Sequence, residues 1–447
     1  MEQGLTREIA AFVVRSRFDD IPERVLAHGV RAIFNGFGTA LGGSRDEAIE
    51  RLSGVLGAYS SGAAATVIGR SERLDMPTAA FLNAAAINVF DFDDTHAGTI
   101  IHPTAPVAPA ALALAETRRL TGAELLHAFI LGAEITCRLG NAVSPGHYNR
   151  GWHITATCGI FGAAVAASKL LKLSEEQIVW ALGSAAAQSS GLVETLGFMA
   201  KSVGVSGAAR NGLMSALMAE AGVEGPPCPI EGPRGFLRVT CDAPKPQLVL
   251  EGLGTHWEIL RNMFKPYPCG VVLNPVIDAC LAARSAPGFD AARIARITVR
   301  GNPLLKARAD RPDVTRGREA QVSAQHAVAV SILRGSAGAA EFSDAAVRAS
   351  DVRALRAKVA PVEADESIPL DAAELVLTFV DGGNAILRED HASGSPDNPM
   401  SDAALRAKFA ALAQHGTPEL DPAPLAERLW HVHDVGDVAE LMDMARR

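Results

Sequence analysis

The chain has 447 residues, of which 48% are hydrophobic and 21% are charged, as in a well-packed globular protein and unlike a disordered one. Its 42 basic and 50 acidic residues give a net charge of −8. This balance argues against nucleic acid as the main partner, because phosphate binding needs a basic surface. No apolar segment reaches about 18 residues without a charge, so we predict no membrane partner. The N-terminus lacks a signal-peptide pattern and the six cysteines form no CxxC pair, so we predict a reduced, cytoplasmic protein.

Residues 1–268 are predicted to be almost wholly helical. Apolar residues recur at helical spacing from Val25 to Leu41, where Gly42 and Gly43 end the pattern. Capping-box sequences open two further helices, at Thr121–Glu124 and at Ser174–Gln177. Further helices are predicted at 47–59, 153–171 and 206–221. Several of them are rich in Ala, Gly and Ser, which we interpret as a sign of close helix packing.

The pattern changes near Cys269. Residues 296–300 alternate like a strand, and residues 374–389 predict a hairpin that turns at Asp381–Asn384. Helices are predicted at 320–333 and 345–359, and again at 403–412 and 424–444. We therefore predict a mainly α protein with a large all-helical domain, 1–268 and 400–447, and a smaller α+β lid domain, 269–399. We expect fewer than three strands within residues 1–260.

One stretch of thirteen residues, 91–103, concentrates three carboxylates, two imidazoles and two hydroxyls between two apolar runs. If the upstream helix continues, Asp91, Asp94 and Thr95 share one face and Asp93 points away from it. Gly98 then breaks the helix and Pro103 holds His102 in an extended conformation beside that face. Polar groups between apolar walls acquire shifted proton affinities, which favours an acid/base site. The alternative is a helix end with an acidic surface and solvated histidines.

Other segments carry candidate chemistry, and each has an ordinary structural alternative. His147–His153 precedes a small-residue helix and is otherwise a loop with a helix cap. Lys201 lies in an almost charge-free stretch, where a lysine is either an anion anchor or a surface side chain. Lys265–Gly270 is stiffened by two prolines at the domain boundary. His326 follows Arg316–Glu319 and is otherwise a half-buried helical histidine.

The sequence carries no GxGxxG opening a βαβ unit and no Walker loop, which argues against nucleotide cofactors. The Asp93–Asp94 pair with His96 and His102 permits a metal site, and a paired-Asp motif in a helical protein also resembles that of terpenoid synthases. That synthase motif needs a further acidic residue near Ala97, and no second magnesium motif follows. We therefore predict no metal and no cofactor.

Five motifs in order resemble the MmgE/PrpD family, which includes 2-methylcitrate dehydratases, cis-aconitate decarboxylases and iminodisuccinate epimerase. They are DFDDTH with a following HP, GWH-x-TATCG-x-FGAA, the lone Lys201, KPYPC and REAQ-x-S, and they span essentially the whole chain. The resemblance implies a large helical domain, a smaller α+β lid, a cleft between them, a homodimer and no organic cofactor. It also implies a site made by Asp91, Thr95, His102, His153, Lys201 and Lys265.

Two departures from the family pattern leave the reaction open. Asn274 stands where many lyases of the family have a histidine, and His326 stands where a tyrosine is common. The candidate catalytic residues are His102, His153, Tyr148 and Lys201. The candidate substrate-binding residues are Asp91, Thr95, Arg150, Lys265 and His326.

The chemistry implied by the resemblance is removal of a proton next to a carboxylate of a small di- or tricarboxylate. The developing enediolate needs cations or donors aimed at it, and imidazole titrates near the working pH. An epimerase needs two proton carriers and no acid for a leaving hydroxyl, so Asn274 favours an epimerase of the iminodisuccinate type. A dehydratase of 2-methylcitrate-like acids, a cis-aconitate-type decarboxylase and a non-catalytic, polycarboxylate-binding helical dimer remain as alternatives.

Overall fold

The computed structural model describes residues 4–447. The first three residues of the N-terminal stretch, in which we found no signal-peptide pattern, lie outside this part. The described chain forms two compact units. The first contains the described residues up to Val89 together with Asp93–Asn262 and Asp402–Arg447, and the second contains Phe90–Phe92 and Met263–Ser401. The second unit thus begins before the predicted position 269, and it includes two residues from the acidic stretch, Asp91 and Phe92.

Helices make up most of the first unit. They are α1 (Leu5–Arg15), α2 (Glu23–Gly43), α3 (Glu47–Gly57), α4 (Met76–Asn88), α5 (Thr104–Arg118), α6 (Gly122–Val143), α7 (Gly146–Asn149), α8 (Ile154–Leu170), α9 (Glu175–Gln188), α10 (Ala200–Glu220), α11 (Phe236–Thr240) and α12 (Gln247–Leu250). Both predicted capping boxes are confirmed, since Thr121 with Glu124 caps α6 and Ser174 with Gln177 caps α9. The local sequence is sufficient here because a capping box joins residues only three positions apart.

Three short strands interrupt these helices within the described residues before position 260, where we expected fewer than three. They are β1 (Ala65–Thr66), β2 (Arg73–Leu74) and β3 (Asp94–His96), and β1 pairs with β2 in antiparallel fashion. With two or three residues each, they are too short to build a sheet layer. The mainly α fold class is therefore confirmed, although the first unit is not wholly helical.

The second unit is α+β. Its helices are α13 (Asn274–Arg284), α14 (Pro303–Ala309), α15 (Gly317–Ala320), α16 (Ala324–Arg334), α17 (Asp344–Arg348) and α18 (Ser350–Arg356), and its strands are β5 (Ile294–Gly301), β6 (Glu363–Ala364), β7 (Ala373–Phe379) and β8 (Asn384–Glu389). An earlier strand, β4 (Asn262–Phe264), spans the change of unit. The sheet has the order β6-β5-β7-β8. The predicted hairpin is confirmed as the antiparallel pair β7–β8.

Two predicted helices of this unit are each divided in the structure. Residues 320–333 give the end of α15 and then α16, and residues 345–359 give α17 and α18. In the first case Ser323 caps α16 by accepting a hydrogen bond from the His326 N–H, which starts a new helix. The chain then returns to the first unit as α19 (Asp402–Gly416), α20 (Pro422–Trp430) and α21 (Val438–Met444). A search of the described helices finds none with the length and hydropathy to span a bilayer.

Helix α8 lies at the centre of the first unit, against α5, α6, α9 and α10. Small residues permit this crowding, as the sequence predicted. A Cβ atom on Gly162 would lie 1.9 Å from the Thr136 hydroxyl and 2.4 Å from the Gly132 carbonyl oxygen, both on α6. Such distances are far below van der Waals contact, so only glycine fits at this crossing.

Helices α5, α8 and α10 run in the same direction and begin at the same end. The backbone N–H of His102, just before α5, donates to Thr155 Oγ1 in the first turn of α8 at 3.2 Å. One turn further along, a Cβ on Gly159 of α8 would lie 2.5 Å from Pro106 of α5. In the same way Gly204 of α10 lies opposite Ala156. Three helix N-termini therefore lie together.

Candidate active site

The link between α4 and α5 is not the helical face that the sequence suggested. Helix α4 ends at Asn88, and Asp91 adopts a left-handed conformation with φ 53°. The chain then enters β3 at Asp94. The prediction that Asp91, Asp94 and Thr95 share one helical face is therefore wrong, because successive strand residues point to opposite sides. The prediction that Asp93 points away from the site is also wrong.

Asp93 lies against His102, the residue predicted to transfer protons. The Nδ1 atom of His102 is 3.1 Å from Asp93 Oδ1 and donates to the backbone oxygen of Asp94 at 2.8 Å. The Thr95 hydroxyl lies 3.4 Å from the same nitrogen. Three oxygens around Nδ1 place the ring proton there, so Nε2 is the basic atom of the neutral ring. Both side chains are largely withdrawn from solvent, with His102 8% exposed and Asp93 fully buried.

Asn88 completes this arrangement, although no sequence motif had pointed to it. Its Nδ2 atom donates to Asp93 Oδ2 at 2.8 Å from the last residue of α4. The carboxylate is thus held on one oxygen by an amide while the other faces the imidazole. A fixed carboxylate beside Nδ1 orients the ring. The two consecutive aspartates could be recognised in the sequence. Because we expected the helix to continue past Asn88, however, we placed Asp93 on the side away from the site.

Asp94 lies beside this pair and is fully buried. Burial, followed by the nearby charge of Asp93, raises the pKa of Asp94 to about 6. Its Oδ2 atom accepts hydrogen bonds from Thr104 and from Asn262, whereas Oδ1 is buried without a hydrogen-bond partner among the described residues. A proton on this carboxyl group reduces the cost of leaving that oxygen buried.

His153 is brought close to His102 by the parallel packing of α5 and α8. It is the residue before α8 and is 4% exposed, and Thr155, two positions later, contacts the backbone of His102. The backbone N–H of His153 donates to the Gly191 oxygen at 3.0 Å. A Cβ at Gly191, where φ is 139°, would lie 2.7 Å from Ala156 Cβ. This close approach keeps the 189–196 loop against the first turn of α8.

Lys201 is half-buried in the first turn of α10. Since Gly204 lies opposite Ala156, this first turn is beside that of α8. Helix N-termini carry a partial positive charge, equivalent to roughly half an elementary charge each. The lysine ammonium and the beginnings of α5, α8 and α10 contribute positive charge near the histidines, and Asp93 places one carboxylate beside His102. Helix N-termini of this kind can bind an anionic ligand.

Tyr148 and Arg150 occupy more peripheral positions. Tyr148 is half-buried in the short helix α7, and Arg150 follows it. The Arg150 guanidinium forms an ion pair with Asp242 at 2.9 Å, and the two side chains are 44% and 86% exposed. Arg150, a candidate substrate-binding residue, thus takes part in a solvated surface ion pair in the structure.

Asp91, Lys265 and His326 belong to the second unit. Lys265 is 1% exposed, and its Nζ lies 3.1 Å from Asp91 Oδ1 and 3.0 Å from the Asp91 backbone oxygen. His326 is fully buried in α16, with Nε2 2.8 Å from the Glu341 oxygen and its ring beside Phe342. These contacts favour a packing role for His326. Asn274, the other departure from the family pattern, is buried at the first turn of α13.

The fold and the site define a class of protein: a helical protein that holds an imidazole against a buried carboxylate, close to several helix N-termini and a lysine. Comparison with known proteins specifies the class further. The MmgE/PrpD N-terminal domain matches residues 7–249, and the MmgE/PrpD C-terminal domain matches residues 267–427. The chain belongs to the MmgE/PrpD family, as its motifs predicted.

Several characterised relatives share one activity. A cis-aconitate decarboxylase of Aspergillus terreus is 32% identical over 290 residues, which cover 62% of this chain but only 59% of that protein. Another, from Aspergillus terreus strain NIH 2624 / FGSC A1156, is 27% identical over 473 residues, covering 99% of this chain and 96% of its own length. The cis-aconitate decarboxylase of Homo sapiens is 28% identical over 432 residues, 92% of this chain and 88% of its own.

Proposed function

We propose that this protein is a lyase that decarboxylates a small tricarboxylate of the cis-aconitate type without an organic cofactor. The relatives described above carry this activity, and none of them is an epimerase, so the decarboxylase alternative replaces the epimerase as our main hypothesis. One structural observation supports it most. The imidazole of His102 donates from Nδ1 to the Asp94 backbone oxygen and has Asp93 Oδ1 3.1 Å from the same nitrogen, at a place where helix N-termini favour anions.

The reaction needs one proton delivered to carbon. The bond between the methylene carbon and its carboxylate breaks, and CO₂ leaves. The released electron pair forms a new double bond at the methylene carbon, while the original double bond takes up a proton at its far carbon. A trianion and one proton thus become a dianion and CO₂. Protonated His102 supplies that proton from Nε2 and then recovers one from water.

Asp93 has a defined part in this scheme. A carboxylate beside Nδ1 keeps the ring in one orientation before and during the transfer, with Nε2 as the donating atom. Asn88 holds the second oxygen of Asp93, so the carboxylate stays with its face toward His102. Because Asp93 acts through His102, it is a positioning residue for the proton donor and need not contact the substrate.

Lys201, His153 and Thr95 are proposed to bind the substrate carboxylates. Lys201 offers a full positive charge in the first turn of α10, and His153 precedes the first turn of α8. In the second unit, Lys265 with its partner Asp91 retains the substrate-binding role implied by family resemblance. Tyr148 remains a candidate proton carrier. Arg150 and His326 have weaker support, since one is at the surface and the other is in a hydrophobic core.

The decisive experiment follows substrates by NMR in D₂O. With cis-aconitate we expect release of CO₂, methylene signals from the new double bond, and one deuterium at the protonated carbon. A dehydratase would instead convert 2-methylcitrate-like hydroxy acids to alkenes without CO₂. An epimerase would exchange α-protons with no net loss. Either of these results, or no reaction with any acid of the panel, would overturn the proposed decarboxylation.

A further inference from the structure

His96 belongs to the acidic stretch, yet the proposed reaction does not use it. Its side chain is fully buried, and both ring nitrogens have partners within the first unit. Nδ1 lies 2.8 Å from Thr99 Oγ1, and Nε2 lies 2.9 Å from Glu258 Oε2. Because a carboxylate only accepts hydrogen bonds, Nε2 carries the proton and Nδ1 accepts one from the Thr99 hydroxyl. Neither nitrogen is therefore available to a substrate.

Protonation equilibria agree with this arrangement. Burial lowers the pKa of His96, so the ring is neutral at neutral pH. Burial of Glu258 opposes ionisation, but the hydrogen bond from His96 and nearby charges lower the pKa of this carboxyl group to about 2. A neutral imidazole and an ionised carboxylate are the forms that the two hydrogen bonds require.

His96 closes the turn that ends at His102. Its backbone N–H donates to Ile101 O at 2.7 Å, and its own carbonyl accepts from Thr99 and Ile100 at 3.2 and 2.8 Å. The Ile101 N–H donates to Thr99 Oγ1 at 3.3 Å. One hydroxyl thus links the backbone before His102 to the His96 ring.

This turn contains a conformation that needs external support. Ile100 has φ 61°, a left-handed conformation that is unfavourable for a β-branched residue. Gly98 lies so close to His96 Cε1 and Asn141 Oδ1 that a Cβ would be 3.2 Å from each. Surrounding contacts, and not local preference, therefore fix the backbone immediately before His102.

Glu258 supplies an anchor on the other side of the ring. It begins the 3₁₀ helix Glu258–Arg261, whose Ile259 N–H donates to Glu134 Oε2 on α6 at 3.2 Å. Glu134 is fully buried and paired with Arg138 at 2.6 Å. The turn is thereby connected, through His96 and Glu258, to a rigid buried ion pair on α6.

We propose that the Thr99–His96–Glu258 chain is a positioning device for His102. It holds the 96–101 turn so that the His102 ring keeps its Nδ1 contacts with Asp93 and Asp94, and it does not itself touch substrate. The kinetic consequence rests on the proposed function, whereas the effect on the His102 ring does not.

The test compares Thr99→Val, which removes the hydroxyl at nearly constant volume, with Thr99→Ser, which retains it. In protein labelled with nitrogen-15 histidine, the His102 Nδ1–H signal is assigned by its loss in His102→Gln. We expect Thr99→Val to shift this signal or broaden it through faster exchange with water, and Thr99→Ser to preserve it. The matched control is Thr417→Val, another buried threonine, which donates to Ala413 O and should leave the signal unchanged.

The kinetic readout uses a double-mutant cycle. Thr99→Val should lower kcat roughly 10- to 100-fold with little change in KM, and it should have no further effect once His102 is already Gln. An unchanged His102 signal in folded Thr99→Val would overturn the proposal. So would an equal fold-decrease in kcat when Thr99→Val is introduced into wild-type protein and into His102→Gln. If wild-type protein has no decarboxylase activity, the proposed function fails while the NMR comparison still decides the positioning role. If Thr99→Val does not fold, Glu258→Gln takes its place in both the NMR comparison and the double-mutant cycle.

Discussion

At the residue scale, the proposed reaction depends on the proton that His102 delivers from Nε2 while its Nδ1–H stays with Asp93 and Asp94. Replacing His102 by Gln should lower kcat by roughly 10²- to 10⁴-fold, because glutamine cannot donate a proton near neutral pH. Steady-state decarboxylation and circular dichroism on the same preparation check this expectation. His127→Gln is the matched control, since His127 is also buried in the first unit but pairs with Ser16. Near-normal turnover in folded His102→Gln would contradict the assignment.

Asp94 leads to a prediction about pH and stability. Its pKa is raised to about 6, chiefly by burial, so between pH 4 and 6 the folded protein binds more protons at this site than the unfolded chain. Stability contributed by the protonated form is therefore lost as pH rises through this window. Asp94→Asn removes this titration, and its stability relative to wild type should increase by up to about 3 kcal/mol from pH 4 to pH 7.

Urea denaturation of both proteins at several pH values measures this difference. The asparagine retains an oxygen that can accept from Thr104 and Asn262, so the neutral hydrogen bonds of the site are preserved. A constant difference in unfolding free energy from pH 4 to pH 7 would contradict a raised pKa at Asp94.

Lys201 is expected to affect binding more than chemistry. Lys201→Met retains the length of the side chain and removes its charge, so a substrate carboxylate loses one ion pair at the start of α10. We expect KM to increase by roughly 10-fold or more with a smaller change in kcat, since the interaction exists in both ground and transition states. Lys172→Met, at an exposed lysine of the first unit, is the control. A fall in kcat at constant KM would instead assign a catalytic role to Lys201.

At the element scale, the site depends on the close parallel packing of α5 and α8. Gly159→Ala would place a Cβ 2.5 Å from Pro106, which forces the two helices apart near His102 and His153. We expect it to destabilise the protein by roughly 1–3 kcal/mol and to reduce activity. Gly207→Ala in α10 is the matched control, because a Cβ there meets no atom within 4 Å. That variant should be as stable as wild type or gain up to about 1 kcal/mol from better helix propensity. Thermal denaturation of both variants measures the difference in stability. Equal losses of stability in the two variants would contradict the prediction.

At the scale of the whole molecule, we predict that catalysis needs no metal ion. The carboxylate of Asp93 is oriented by Asn88 and serves His102, so its proposed role is fulfilled without a cation. Dialysis against EDTA should therefore leave kcat and KM unchanged. If chelation abolished activity and added zinc or magnesium restored it, the acidic stretch would be a metal site instead. The homodimer and the cytoplasmic location remain predictions from family resemblance and composition.

The sequence by itself determined the features that depend on neighbouring residues or on a periodic pattern. Capping boxes at Thr121 and Ser174, the β7–β8 hairpin and the mainly α class follow from local rules that tertiary packing did not override. The ordered motifs were also sufficient to identify the family. They selected His102 and His153 because histidines in a fixed motif context can be recognised without knowing the backbone.

Only the tertiary structure decided what surrounds His102. Sequence periodicity extended the helix beyond Asn88, whereas long-range contacts such as His96 with Glu258 hold the chain in a turn with residues of positive φ. That turn, and not a helical face, places Asp93 against Nδ1. The alignment of α5, α8 and α10 likewise depends on glycines that meet partners far away in the chain, such as Gly159 with Pro106. Helical periodicity describes which side of one helix is apolar, but it contains no information about which turn of another helix will lie opposite.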